Sequence, residues 1–219
     1  MKKDRIMTGI KGAIFDLDGT LLDSMQIWDN IAANYLISRG ATPRPGLRDE
    51  LRALGGHQIP VYFQSNYGII ESEERIYSAI NELLEDFYFN KAPLKEGAAE
   101  LLDKLLGQNV KMCVATATDR YLVEPALERC GIFEYFERIF TCGEERTSKS
   151  SPEIYLRAAK FLGTKIIDTL VFEDALYAMK SAKKAGFPVA AVYDLSAGDQ
   201  QEEIRKLCDY YCNSLFDFR

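Results

Sequence analysis

The sequence predicts an α/β protein with a parallel sheet, helices on both faces, and a small all-helical insertion after the first strand. Three observations lead there. From residue 93 onward, apolar runs of strand length alternate with amphipathic helical stretches. One more apolar run, 12–16, stands far ahead of them. Residues 24–89, in between, show helical spacing and no strand pattern.

Each element has its own local reason. Gly12-Ala-Ile-Phe reads as a short buried strand, and Asp16 ends it. In the insertion, Ile27, Ile31, Ala32, Tyr35 and Leu36 recur at helical spacing. A long helix follows in 71–89, with Ile76, Ile80, Leu83, Leu84 and Phe87 on one stripe. Between these helices, Leu54-Gly-Gly-His-Gln-Ile-Pro60 breaks the pattern. After Pro93 come a helix (96–106), a strand (110–115) and a helix (120–130) with Gly131 as its C-cap. A short strand (138–141) and a helix (152–162) with proline in its first turn follow. Strand 169–173, helix 175–185 capped by Gly186, strand 188–192, helix 202–207 and an edge strand 210–212 complete the chain. Such alternation requires right-handed crossovers between parallel strands. The expected organisation is a Rossmann-like core of residues 1–22 and 93–219, with a helical cap domain of residues 23–92.

Composition narrows the function. The chain of 219 residues is 47% hydrophobic and 27% charged, an ordinary globular balance. Its net charge is −6, and lysine and arginine are scattered, so no nucleic-acid footprint is visible. No run approaches the roughly 20 apolar residues of a membrane span, and the polar start lacks a signal-peptide core. Five cysteines without a CxxC pair point to reduced thiols in a cytoplasmic protein rather than to zinc or a disulfide framework. A monomer or weak homodimer is expected.

In open α/β sheets, ligands bind at the carboxyl ends of the strands. Four segments reach that edge. Asp16-Leu-Asp18-Gly-Thr20 brings two carboxylates out together, and Gly19 permits the turn that lets both face one site. Two like charges so close call for a cation or a proton. Carboxylate oxygens suit Mg2+. A carboxylate can also attack phosphorus, with a second one moving protons. Alone, the motif also suits a solvated turn or a calcium loop. Thr116 ends a strand, and its hydroxyl could bind a phosphate oxygen or cap the next helix, although Thr118 is better placed as that cap. Lys149, in Thr147-Ser-Lys-Ser-Ser-Pro152, is either a solvated lysine or the charge partner of a phosphoryl group. Glu173-Asp174 is either a helix cap with a surface acid or a pair of metal ligands.

In this order the four elements resemble the haloacid dehalogenase superfamily, and the resemblance runs from Ile14 to about Val192. Pro93-Leu-Lys-Glu-Gly97, Lys149-Ser-Ser-Pro-Glu-Ile-Tyr155 and Val171-Phe-Glu-Asp174 leading to Ala185-Gly186 add to it. The resemblance implies the following roles. Asp16 is the nucleophile that forms an aspartyl-phosphate. Asp18 is the general acid/base, its backbone carbonyl also contacting the metal. Thr116, Ala117 and Lys149 hold the phosphate, Lys149 steadying Asp16 as well. Asp16, Asp18, Asp174 and Glu173 form the Mg2+ site. The helical insertion matches that family's cap.

The resemblance leaves the branch open. The expected activity is a phosphatase acting on a small phosphorylated metabolite of sugar phosphate or phosphoglycolate type. The alternatives are a β-phosphoglucomutase-like mutase and a non-catalytic phospholigand-binding regulator. Trp28 stands where the mutases carry a hinge histidine, and the Gly55-Gly56-His57 region stands where they carry a cap arginine. Both departures favour the phosphatase. Ala178 replaces a usual glycine, a change expected to have little effect. His57, the only histidine, is either a polar cap residue or a substrate contact. Trp28 and Phe87-Tyr-Phe89 are expected in the cap's core.

Overall fold

The computed structural model describes residues 9–52 and 59–218. Strand β1 (Gly12–Phe15) comes first, followed by helices α1 (Met25–Ser38), α2 (Leu47–Arg52), α3 (Ile59–Tyr67) and α4 (Glu73–Asn90). The remaining strands are β2 (Lys111–Thr116), β3 (Arg138–Thr141), β4 (Thr169–Glu173), β5 (Val189–Val192) and β6 (Tyr210–Cys212). Helices α5 (Ala98–Gly107), α6 (Arg120–Arg129), α7 (Glu153–Leu162), α8 (Leu176–Lys184) and α9 (Gln201–Leu207) alternate with them. Two compact units result: Met1–Ser24 with Ala92–Arg219, and Met25–Lys91. No helix among the described residues is long and apolar enough to cross a membrane.

The larger unit holds one sheet in the order β3-β2-β1-β4-β5-β6, every neighbouring pair parallel. The chain walks outward from β1 through β2 to β3, then returns to β4 on the other side of β1. Right-handed crossovers walking in opposite directions place their helices on opposite faces. The sheet is therefore doubly wound and Rossmann-like, with its switch point between β1 and β4. Both faces are covered, so β1 and β4 are buried along their whole length. The rings of Phe15 and Phe172, on neighbouring strands, stack at 4.4 Å.

One glycine is dictated by close approach. Gly97 precedes α5 with φ +84°, and a Cβ there would lie 2.4 Å from the backbone nitrogen of Phe216. That contact seats the C-terminal segment, where Leu215 N and Ser214 Oγ both donate to the Glu96 carbonyl. Ala178 is buried, its methyl accommodated in α8.

Ser181, also in α8, is buried, and its hydroxyl has no hydrogen-bond partner among the described residues. A buried hydroxyl without a partner costs about 1–3 kcal/mol. Ser181→Ala is thus expected to stabilise the protein by about 1 kcal/mol. Urea denaturation measures this, and a lower midpoint for the variant would contradict it.

The smaller unit packs around Tyr35, Leu36, Phe63 and Ile76. Tyr35 stacks on Phe63 at 5.3 Å and donates its hydroxyl to Glu71 at 2.7 Å. Ser72 caps α4 by accepting the Arg75 N–H, and Glu73 and Glu74 fill its first turn. Two details depart from the expected pattern. The buried residues of α4 are Ile76, Ala79, Leu84 and Tyr88, while Leu83 is 36% exposed. Leu83 and Leu84 are a full 100° apart on a helix, so one packing partner buries only one of them. Trp28 stands at the unit's surface, 37% exposed, with its indole N–H donating to Tyr88 Oη at 2.9 Å.

Candidate active site

The strand ends bring the candidate residues together at the switch point. Asp16 is the first residue beyond β1, tied to β4 by its N–H to the Phe172 carbonyl. Beyond it the chain wraps around one acceptor, since the Leu17 carbonyl takes N–H donors from Thr20, Leu21 and Leu22. Gly19 makes this turn possible with φ +82°.

Asp16 is 5% exposed. Its Oδ2 accepts from Thr20 Oγ1 at 3.3 Å, and its Oδ1 accepts from Lys149 Nζ. The same ammonium donates to Glu173 Oε1 at 2.6 Å. Glu173 ends β4 and Asp174 follows it, both buried. Carboxylate oxygens of Asp16, Glu173 and Asp174 all lie within 4.8 Å of one another.

The charges in this cluster do not balance. Burial and the nearby Glu173 push Asp16 up to about 7, against the opposing pull of Lys149. Burial, then Asp16 and Glu173, holds Asp174 well above the ordinary carboxyl range. Burial alone would lower Lys149, but Asp16 and Glu173 outweigh it and raise its pKa. Three buried carboxyls thus face one buried ammonium. An all-oxygen set with excess negative charge fits a hard divalent cation such as Mg2+.

Asp18, two residues on, is held by hydroxyls. Its Oδ1 accepts from Ser24 Oγ at 2.5 Å and its Oδ2 from Thr118 Oγ1 at 2.6 Å. Two hydroxyls thus hold its carboxylate, and its charge adds to the upward push on Asp16. The expectation that Thr118 caps α6 fails for this reason: its hydroxyl is committed to Asp18, and the N-cap position belongs to Asp119. Thr116 does not cap α6 with its side chain either. Its Oγ1 accepts the Thr118 N–H at 3.0 Å, which shapes the loop. Ala117, between them, is exposed. His57, Gly55 and Gly56 lie outside the described residues.

The profile of haloacid dehalogenase-like hydrolases matches residues 13–192. The chain belongs to that family. Among curated relatives, protein CbbY of Rhodobacter capsulatus is 27% identical, the match covering 82% of this chain and 84% of that protein. Validoxylamine A 7'-phosphate phosphatase of Streptomyces hygroscopicus subsp. limoneus is 28% identical, covering 80% of this chain and 82% of that one. Among solved structures, CbbY from Rhodobacter sphaeroides in complex with xylulose-(1,5)bisphosphate superposes with a TM-score of 0.76. That superposition covers 94% of this chain and 95% of the other at 21% identity, a likeness of fold. The Rossmann-like sheet described above is thus the haloacid dehalogenase-type core, and the chain is a phosphoric monoester hydrolase of this family.

Proposed function

We propose that this hydrolase is a Mg2+-dependent phosphatase that cleaves a small phosphorylated metabolite, of sugar phosphate or phosphoglycolate type, through an aspartyl-phosphate on Asp16. The smaller helical unit serves as its cap. One observation carries the reading: a buried carboxylate, Asp16, is held by a buried ammonium and lies beside a second, hydroxyl-held carboxylate, Asp18.

The chemistry divides between those two acids. Asp16 attacks phosphorus, and the ester P–O bond breaks. Asp18, protonated at that moment, gives its proton to the leaving oxygen. Asp18 then takes a proton from water, whose oxygen attacks the phosphorus of the aspartyl-phosphate. The bond to Asp16 breaks and inorganic phosphate departs, restoring both carboxyls. Lys149 neutralises charge on the phosphoryl oxygens, while Thr116 and Ala117 hold them. The two hydroxyls on Asp18 keep it aimed at the leaving group. Asp16, Glu173 and Asp174, with the Asp18 carbonyl, would hold Mg2+, which supplies positive charge against the transferring phosphoryl group.

Hydrolysis is favoured over mutase chemistry by Trp28. An indole N–H can donate but cannot take up and return a proton, and here it is committed to Tyr88. The relative named validoxylamine A 7'-phosphate phosphatase supports the same choice. A panel of sugar phosphates, nucleotides and phosphoglycolate with Mg2+ tests the reading. Inorganic phosphate is the expected product, and excess chelator is expected to stop its release. Isomer interconversion without phosphate release would point instead to a mutase. Ligand binding without turnover would point to a regulator.

A further inference from the structure

A lysine in a loop carries its ammonium on a flexible four-carbon stem. Lys149 is nonetheless 4% exposed and fixed between Asp16 and Glu173. What fixes Glu173 is therefore what aims Lys149. Glu173 is fully buried, and its Oε1 accepts a second strong hydrogen bond, from Tyr155 Oη at 2.8 Å. Its Oε2 receives the Ala175 N–H at 3.4 Å, a much weaker restraint.

Tyr155 is well suited to be the fixed point. It is the third residue of α7, six positions after Lys149, so the first helical turn carries it back beneath the lysine. The ring is fully buried and meets Phe187 edge-on at 6.3 Å. A phenylalanine would fill the same apolar space without a polar atom to desolvate. The tyrosine hydroxyl donates to Glu173.

We propose that Tyr155 is a positioning residue for phosphoryl transfer: its hydroxyl orients Glu173, whose carboxylate holds Lys149 against Asp16. The proposal rests on the phosphatase reading of this site. Since Tyr155 is fully buried and reaches the site through Glu173, its loss is expected to act on turnover rather than on substrate binding.

The test is a double-mutant cycle in the full-length chain, with Tyr155→Phe, Glu173→Gln and the double variant. With a substrate the wild type hydrolyses, Tyr155→Phe is expected to lower kcat about tenfold while KM stays within about twofold. In the Glu173→Gln background the same change should alter kcat by less than about twofold. An unchanged kcat in Tyr155→Phe, or an equal loss in both backgrounds, would overturn the proposal. The same cycle followed by urea denaturation reads the Tyr155–Glu173 coupling without any turnover. Absence of phosphate release by the wild type would therefore count against the phosphatase reading alone. Additive stabilities would count against Tyr155.

Discussion

Asp16→Asn abolishes phosphate release, with an expected fall of about a thousandfold or more, while the protein stays folded. The amide has the shape of the carboxylate but cannot form the acyl phosphate. Its effect on stability follows from the charge imbalance at the strand ends. The carboxyl of Asp16 is raised from 3.8 to about 7 by burial and by Glu173. A group raised on folding stabilises the protein below its unfolded pKa, and that contribution is lost as pH rises through the folded one. In chelator, wild-type stability therefore contains a component that falls between pH 4 and about 7. Asparagine does not titrate, so the variant lacks this component. Relative to wild type, Asp16→Asn is expected to gain stability from pH 5 to pH 8 in metal-free urea denaturation. Added Mg2+ should stabilise the wild type more than the variant, because the variant offers one carboxylate fewer. Retained turnover in Asp16→Asn would remove it as the nucleophile. A variant that loses ground on wild type between pH 5 and pH 8 would mean that the lost Lys149 contact outweighs the relieved repulsion.

The strands were legible because each is a short apolar run closed by a turn residue; their order was not, because crossover handedness leaves open the side on which each new strand adds. The strand-end rule then identified Asp16, Glu173 and Asp174, which the fold gathers at the switch point, and Thr116 at the end of neighbouring β2. The hydroxyl partners were not legible. Ser24 looked like the start of a helical pattern, and Thr118 looked like a cap. Both bind Asp18, and Thr118 does so from a hundred residues away. Such contacts depend on how loops return in space, which no local period records. Tyr155 was hidden for another reason. A tyrosine on the buried face of a helix reads as core, and its ring is core; only the position of its oxygen ties it to Glu173. In the helical unit, spacing identified α4 but not which of two adjacent leucines it buries, because the neighbouring helices decide that.

Lys149→Met separates the electrostatic role of that lysine from its packing role. Methionine keeps the unbranched apolar stem and loses only the charge. The variant leaves Asp16, Glu173 and Asp174 buried without their shared cation. Removing one partner of a buried ion pair costs about 3–5 kcal/mol, and that loss is expected in metal-free denaturation at pH 8. The sign of its pH dependence is fixed. With the ammonium gone, the main opposition to the upward push on Asp16 is lost, so its folded pKa moves further up and its ionised form becomes costlier. Protonation relieves the cost, and the deficit relative to wild type should shrink toward pH 5. Added Mg2+ should recover part of the loss at pH 8, since a cation among the same carboxylates replaces the missing charge. Turnover should still fall by a hundredfold or more, about the loss seen when one stabiliser of transition-state charge is removed. Lys149→Arg is not expected to restore it, because a planar fork does not fit a site built around one compact ammonium. A deficit of constant size from pH 5 to pH 8, unmoved by Mg2+, would assign Lys149 to packing. A deficit that closes with acid and with metal would show that these strand ends hold more negative charge than the protein alone can neutralise, which is the condition a metal-assisted phosphatase requires.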